Sequence, residues 1–133
     1  MTSAYRAVRI ADIPSLPNDL VEAAWKPVRH HLGITAFGTN GYVARAEGEL
    51  VIEEHSEGSA GHEELYVVTS GRAAFTIAGE ELDAPAGTLV AVTDPTVVRG
   101  AVARAPGTTV LVVGAPRGEP FELRNWERTR IGD

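Results

Sequence analysis

The chain of 133 residues contains no cysteine. This absence excludes disulfide bonds, thiolate catalysis, and zinc or iron–sulfur centres with cysteine ligands. Positive charge is also scarce: the net charge is −6, and the twelve basic residues are eleven scattered arginines and Lys26. Binding to a phosphate backbone needs a basic patch or stripe, which this pattern does not provide. We therefore expect no nucleic-acid partner.

Long hydrophobic runs are missing as well. The longest purely aliphatic stretches are short, such as V-L-V-V at residues 110–113. The first ten residues contain no apolar segment. A membrane-spanning helix needs about 20 consecutive apolar residues, and a secretory signal needs an apolar segment of about 7–15. We therefore predict a cytoplasmic protein with no membrane partner.

The residues that are present indicate a β-rich globular domain. Hydrophobic residues make up 44% and charged residues 23% of the chain, and its length suits one domain. From about residue 41 onward, short β-type runs alternate with Gly, Pro and Asp turns at spacings of roughly 8–12 residues, which predicts an antiparallel sandwich or barrel. Gly71 and Gly79 each separate two runs, where a tight reversal needs positive φ. We expect these residues on one or other packed face of the barrel: Val43, Ile52, Leu65, Val67, Phe75, Ile77, Val90, Val92, Val102 and Leu111.

We divide the chain into an N-terminal arm packed on the barrel (1–40), the β-barrel (41–118) and a C-terminal strap (119–133). Within the arm, N-D-L-V-E-A-A-W at residues 18–25 predicts a brief helix, with Asn18 as its N-cap and Pro27 ending it. In the strap, residues 121–128 predict one helical turn or an extended segment, with Phe121 and Trp126 as apolar anchors. For the tandem histidines at residues 30 and 31 we favour a core or surface role over metal ligation.

One long segment carries a resemblance to a known family. HSEGSAGHEELYVVTSGRAAFTIAGEELDAPAGTLVAV, at residues 55–92, resembles the cupin superfamily of small jelly-roll barrels. The first cupin motif is written G-x5-H-x-H-x3-4-E-x6-G, and here Glu64 is followed by the six residues L-Y-V-V-T-S and then by Gly71. The resemblance covers about residues 41–115. It implies an all-β fold: a cupin-type jelly-roll β-barrel with a short N-terminal arm of mixed structure.

The first half of that motif departs from the usual pattern. The nearest fit takes His55 and Glu57 as an H-x-E variant, with six residues rather than three or four before Glu64. Strand alternation supports this fit, because it places His55 and Glu57 on one face. It likewise places His62, Glu64 and Tyr66 on one face of the next strand.

The second cupin motif lacks its histidine. One way of anchoring that motif puts Val98 at the histidine position and another puts Arg99 there, and no histidine follows residue 62. The resemblance thus implies that the fourth ligand of an ordinary cupin metal site is missing. His55, Glu57 and Glu64 could still hold a divalent ion such as Zn, Mn, Fe or Ni through nitrogen and oxygen atoms.

The same region can also be interpreted without a metal, and we expect no cofactor. His62, Glu64, Tyr66 and Arg99 are then candidates for binding a small molecule. His62 and Glu64 could shift each other's pKa and serve as acid and base. Arg99 could pair with Glu64 or hold an anionic ligand through two parallel hydrogen bonds. In a purely structural alternative, Glu64 and Arg99 form a buried ion pair and Tyr66 packs in the core.

Two functional hypotheses follow. The first is a small-molecule-binding, cupin-like protein with a degenerate, metal-free pocket, acting as a binding or sensing module. The second is a cupin enzyme (an isomerase, a cyclase or an oxygenase-like protein) that uses an atypical His/Glu metal centre or a metal-free acid/base pair. The fold does not choose between them, because one barrel hosts many chemistries.

We also expect a homodimer, as many cupins are, since barrel edges and the arm offer places for strand pairing.

Overall fold

A computed structural model describes residues 4–132 of the chain. Within these residues, nine strands form two antiparallel sheets, with the order β1-β2-β9-β4-β7 in one and β3-β8-β5-β6 in the other. The strands are β1 (Ala24–Lys26), β2 (Gly38–Val43), β3 (Leu50–His55), β4 (His62–Ser70), β5 (Arg72–Ile77), β6 (Glu80–Pro85), β7 (Leu89–Val92), β8 (Arg99–Ala103) and β9 (Thr109–Pro116). Two short α-helices, α1 (Val28–Leu32) and α2 (Asn125–Ile131), and a 3₁₀ helix at Ile10–Asp12 flank them. The predicted all-β, jelly-roll architecture is confirmed.

The inward faces of the two sheets enclose a hydrophobic core. Val68 and Val110 of the first sheet and Phe75 of the second are fully buried. The ring of Tyr66 meets that of Phe75 edge-on, with 5.5 Å between ring centroids. Burial of apolar surface of this kind contributes about 25 cal/mol per Å². The second sheet also contributes Val51 and Ile52 of β3 and four small side chains: Ala73, Ala84, Ala101 and Ala103.

Strand β4 shows which of its two faces points inward. Tyr66 and Val68 are 1% and 0% exposed, whereas Leu65 is 37% exposed. The expectation that Leu65 lies on a packed interior face is therefore wrong. Alternation reveals the two-residue period of a strand, but it does not reveal which face is buried when both faces carry apolar residues.

The turn at Gly71 explains why the sequence has glycine there. Gly71 has φ +72° and Gly79 has φ +80°, as their positions between strands predicted. A Cβ atom at Gly71 would also lie 2.4 Å from Thr108 Oγ1. Both the backbone conformation and the close approach of Thr108 therefore require glycine at residue 71.

The predicted helix at residues 18–25 is wrong. Asn18 does accept hydrogen bonds from the backbone N–H groups of Leu20 and Val21, as a capping residue would. The chain then enters β1, which pairs with β2, and Trp25 is fully buried with its indole N–H donating to Asn40 Oδ1 at 2.9 Å. Burial in the sheet outweighs the weak preference of a short segment for helix.

The helical segments lie elsewhere in the arm and strap. Helix α1 begins after Pro27, and its two histidines, His30 and His31, are exposed. Helix α2 supplies the helical turn predicted in the strap, and Trp126 packs on Trp25 with ring centroids 5.3 Å apart. Across residues 4–132, no helix has the length and apolar character needed to cross a membrane.

Candidate functional site

A cavity of about 230 Å³ opens between the two sheets, at the end of the barrel where β3 ends and β4 begins. Residues of β2, β3, β4, β9 and the strap line it. Its wall includes five of the six side chains that the sequence singled out: His55, Glu57, His62, Glu64 and Tyr66.

The inner face of β4 supplies three of these side chains. Alternation on this strand turns His62, Glu64 and Tyr66 towards the cavity. Glu64 pairs across the sheet with Gly114 of β9, and a Cβ atom at Gly114 would lie 3.1 Å from Glu64 Cγ. Glycine at residue 114 thus leaves the space that the Glu64 side chain occupies.

An irregular end of β3 adds another carboxylate. The register between β3 and β8 shifts between Leu50 and Ile52, and again between Ile52 and His55. Ile52 and Glu53, which regular alternation would separate, consequently both line the cavity, whereas Glu54 is exposed. Irregularities of this kind re-aim side chains and are frequent beside functional sites.

His55 lies between a backbone carbonyl and two carboxylates. Its Nδ1 donates to the carbonyl oxygen of Glu53 at 2.7 Å, because that oxygen can only accept. Its Nε2 lies 2.9 Å from Glu57 Oε2 and 3.7 Å from Glu64 Oε1. With Nδ1 protonated, Nε2 can donate to Glu57 only when the ring is an imidazolium. In the absence of a metal, this geometry favours a positively charged His55.

The pKa values of the two cavity imidazoles are shifted in opposite directions. Burial opposes the charge on His55, but hydrogen bonds to Glu57, Glu64 and the Glu53 carbonyl outweigh it and raise the pKa of His55 to about 10. Burial lowers the pKa of His62, and the nearby Glu57, 3.5 Å from His62 Nδ1, offsets this only in part. At neutral pH the cavity therefore contains a charged and a neutral imidazole.

Glu57 lies between these two imidazoles. Burial opposes its ionisation, but the hydrogen bond and charge of His55, together with the charge of Arg124, lower the pKa of Glu57. One oxygen faces His55 and the other faces His62. Glu57 is therefore an ionised carboxylate that both rings share.

Glu64 belongs to a second group with Tyr66 and Arg99. The Tyr66 hydroxyl donates to Glu64 Oε1, and Arg99 Nη1 donates to the same oxygen at 3.3 Å. Burial and the adjacent Glu64 raise the pKa of Tyr66, so its hydroxyl stays a neutral donor. Arg99 is fully buried and Val98 is 48% exposed, which settles the register that the sequence left open in favour of Arg99.

Arg99 lies behind Glu64, and it is not among the residues that line the cavity. Its Nη2 donates to the carbonyl oxygen of Asp94 at 3.4 Å, and within residues 4–132 its Nε is buried without a partner. The structure thus gives Arg99 an ion pair with Glu64 and no surface towards a ligand.

The strap closes the cavity on the side of β4. The Phe121 ring lies 5.7 Å from the His62 ring, centroid to centroid. Arg124 Nη2 donates to Ser59 Oγ at 3.2 Å, and its Nη1 lies 3.9 Å from Glu57 Oε1. Phe121, Arg124 and Trp126 all line the cavity.

Glu127, also on α2, is a cavity residue that the sequence did not reveal. It is 4% exposed, and its Oε2 accepts a hydrogen bond from Arg29 Nε at 2.9 Å. These two residues are 98 positions apart in the chain. An acid and a base at that separation carry no local pattern, so the pair becomes visible only in the folded protein.

Three of the cavity residues form a potential metal-binding group. Ligand atoms of His55, Glu57 and Glu64 lie within 4.8 Å of one another. The hydrogen bond from His55 Nδ1 to the Glu53 carbonyl is the kind of contact that orients a histidine ligand. One nitrogen and two carboxylate oxygens could hold a divalent ion such as zinc or manganese.

Comparison with known proteins gives a fold. No protein-family model matches the chain, and no curated protein matches its sequence. A cupin protein from Bacteroides fragilis is 19% identical, over 92% of this chain and 93% of its own, with a TM-score of 0.66. A sugar phosphate isomerase of the cupin superfamily from Silicibacter pomeroyi is 16% identical, over 82% of this chain and 74% of its own, with a TM-score of 0.67.

A predicted oxalate decarboxylase from Thermotoga maritima is also similar. It is 20% identical, over 82% of this chain and 97% of its own, with a TM-score of 0.62. At sequence identities this low, the similarity indicates a shared fold and does not indicate a shared activity. The chain therefore has the cupin fold, as the resemblance at residues 55–92 predicted.

Proposed function

We propose that this protein binds a small molecule in the barrel cavity without a metal ion, as a binding or sensing module. One observation carries the proposal: the two carboxylates that would ligate a metal, Glu57 and Glu64, are already paired with positive groups. The carboxylates of Glu57 and Glu64 face the His55 imidazolium and the Arg99 guanidinium, at distances of 2.9 and 3.3 Å for the closest contacts. These four groups, of which Arg99 lies behind the wall, form a neutral set.

A divalent ion would disturb this balance. It would need His55 Nε2 free of its proton, because a ligating imidazole is neutral. It would also draw on the carboxylate of Glu64, whose Oε1 already accepts from the Tyr66 hydroxyl and Arg99. The donor atoms fit a metal, but the charge that a metal ordinarily supplies is already provided by Arg99.

The walls of the cavity suit a small organic ligand. Polar groups cluster on β3 and β4, and apolar side chains face them from several elements. Ligand sites commonly combine an apolar lining with a few polar groups that fix orientation. The apolar lining includes Ile52, Val112, Phe121 and Trp126.

Two measurements test this function. Elemental analysis of the purified protein should find far less than one metal ion per chain. A thermal-shift screen of small metabolites should find compounds that raise Tm, since a ligand at 100 times its Kd stabilises the folded state by about 2.7 kcal/mol. His62→Gln should abolish the shift, because His62 faces the cavity, and the exposed Glu54→Gln should keep it.

Two outcomes would contradict the proposal. One is a metal content near one ion per chain that is lost in a folded His55→Ala variant. The other is a folded protein that no compound in the screen stabilises.

An enzyme is the second candidate, and the opposite pKa shifts of the two imidazoles favour it. A charged His55 and a neutral His62 on either side of Glu57 could act as acid and base in one metal-free reaction. The names of two structural neighbours, an isomerase and a predicted decarboxylase, are consistent with this class. Turnover of a compound found in the screen, with a bell-shaped pH dependence lost in His55→Gln, would distinguish catalysis from binding.

A further inference from the structure

The cavity wall contains more carboxylates than accessible cations. Glu53, Glu57, Glu64 and Glu127 all line it. Each carboxylate comes from a different part of the fold. In chain order, these parts are the irregular end of β3, the segment after it, the inner face of β4, and helix α2. The cavity is therefore surrounded by carboxylates on several sides.

The cations near these carboxylates are already engaged. The charged His55, which lines the cavity, uses Nδ1 for the Glu53 carbonyl and Nε2 for Glu57. Arg99 donates to Glu64 from behind the wall, and Arg29 donates to Glu127 and to the carbonyl oxygen of Ile34. Neither arginine lines the cavity. A ligand inside the cavity therefore meets the carboxylates and not the guanidinium groups that neutralise them.

Arg124 is the arginine that does line the cavity, and it too has partners. Its guanidinium donates to Ser59 and lies 3.9 Å from Glu57. Its side chain is 37% exposed, so water screens its charge. It is a weak point of attachment for an anion.

Two carboxylate groups retain free acceptor atoms. In the described part of the chain, the Glu53 side chain has no hydrogen-bond or ion-pair partner. Glu127 uses Oε2 for Arg29, and its Oε1 has no partner within residues 4–132. Glu127 lines the cavity, so a ligand there can donate a hydrogen bond to that oxygen.

We propose, building on the binding function above, that the ligand carries hydrogen-bond donors and no negative charge: a hydroxyl-rich neutral molecule or an amine. Its hydroxyl or ammonium groups donate to Glu53 and Glu127. Its carbon skeleton lies against Phe121 and Trp126. Ligands that carry a phosphate or carboxylate group are excluded. Their negative charge would lie beside the carboxylate oxygens of Glu53 and Glu127, which accept hydrogen bonds and cannot donate them.

Matched pairs of compounds test this inference by thermal shift and calorimetry. D-ribose is compared with D-ribose 5-phosphate, and putrescine with succinate, alongside the wider metabolite screen. We expect every compound that raises Tm to be neutral or cationic. Adding a phosphate or carboxylate to a binding compound should abolish the shift.

Single substitutions of glutamate by glutamine provide a second test. Glu53→Gln keeps the shape of the side chain and removes its charge, and it should weaken a bound amine or polyol about tenfold or more. Glu54→Gln, one residue along the same strand and exposed, should leave the affinity unchanged. If Glu53→Gln fails to fold, Glu127→Gln provides the same test from the strap.

The outcomes separate this inference from the binding function on which it rests. Stabilisation by the anionic members of the pairs, or an unchanged affinity in both Glu53→Gln and Glu127→Gln, would overturn the inference and leave the binding function intact. A folded protein that no neutral, cationic or anionic compound stabilises would overturn both.

Discussion

The two ends of the barrel interior are built from the same strands but differ in chemistry. Along β4, the inward residues run from His62 and Glu64 at one end to Val68 at the other. Along β8, they run from Arg99 to Ala103. The apolar end is packed mainly by hydrophobic side chains, whereas at the polar end charged side chains contact one another. Stability and ligand chemistry are thus separated along the length of a strand.

The first way to test this comparison is to remove a side chain from the apolar end. Phe75→Ala should lower the free energy of unfolding by about 3–5 kcal/mol, because it leaves a cavity in a fully buried site. Urea denaturation measures the change. Leu89→Ser, at a position that is 64% exposed, is the control and should change stability by less than about 0.5 kcal/mol. Similar losses in the two variants would mean that stability is not concentrated in this core.

A smaller effect is expected from breaking the ion pair at the polar end. Arg99→Met should cost about 2–3 kcal/mol, below the usual range for a buried pair because the cavity gives Glu64 some contact with water. Adding Glu64→Gln should restore part of this loss, since the carboxylate would no longer be buried without its partner. Denaturation of both single variants and the double variant measures the coupling. If the losses in unfolding free energy of the two single variants add up to that of the double variant, Arg99 and Glu64 do not stabilise one another.

The smallest effect is a dependence of stability on pH. The pKa of His55 is about 10 in the folded protein and 6.5 in an unfolded chain. Because the folded value is higher, the stabilisation from charged His55 is fully present below pH 6.5 and is lost as the pH rises through 10. In protein treated with a chelator, the free energy of unfolding should fall by about 1–2 kcal/mol across this range, less than the full shift implies because water reaches the ring.

His55→Gln is the control for this pH dependence. Any remaining change in the variant comes from other groups that titrate in alkali, such as Lys26. An identical pH profile in the wild type and in His55→Gln would show that His55 is not charged in the folded protein.

The sequence was informative where spacing and residue type act locally. The six residues between Glu64 and Gly71 predicted the strand, its turn, and the common face of Glu64 and Tyr66, because strand period and turn chemistry depend on near neighbours. The helix predicted over residues 18–25 failed for the opposite reason. Its outcome depends on a buried hydrogen bond to Asn40, 15 residues away.

The parts of the site that could not be predicted involve distant or irregular contacts. The sequence left Val98 and Arg99 as alternatives, since two anchors for the second motif were possible and only the register of β8 against β3 separates them. The placement of Glu53 depends on a break in the same register. The pairing of Glu127 with Arg29 joins the strap to the arm, which neither segment signals by itself.

The contact between Trp25 and Trp126 also makes the protein its own optical reporter. These are the chain's two tryptophans, and Trp25 is shielded from solvent entirely whereas Trp126 borders the cavity. A molecule that enters the barrel changes the surroundings of Trp126 and, through the ring contact, the emission of the pair. Intrinsic fluorescence can therefore follow occupancy of the site without a label.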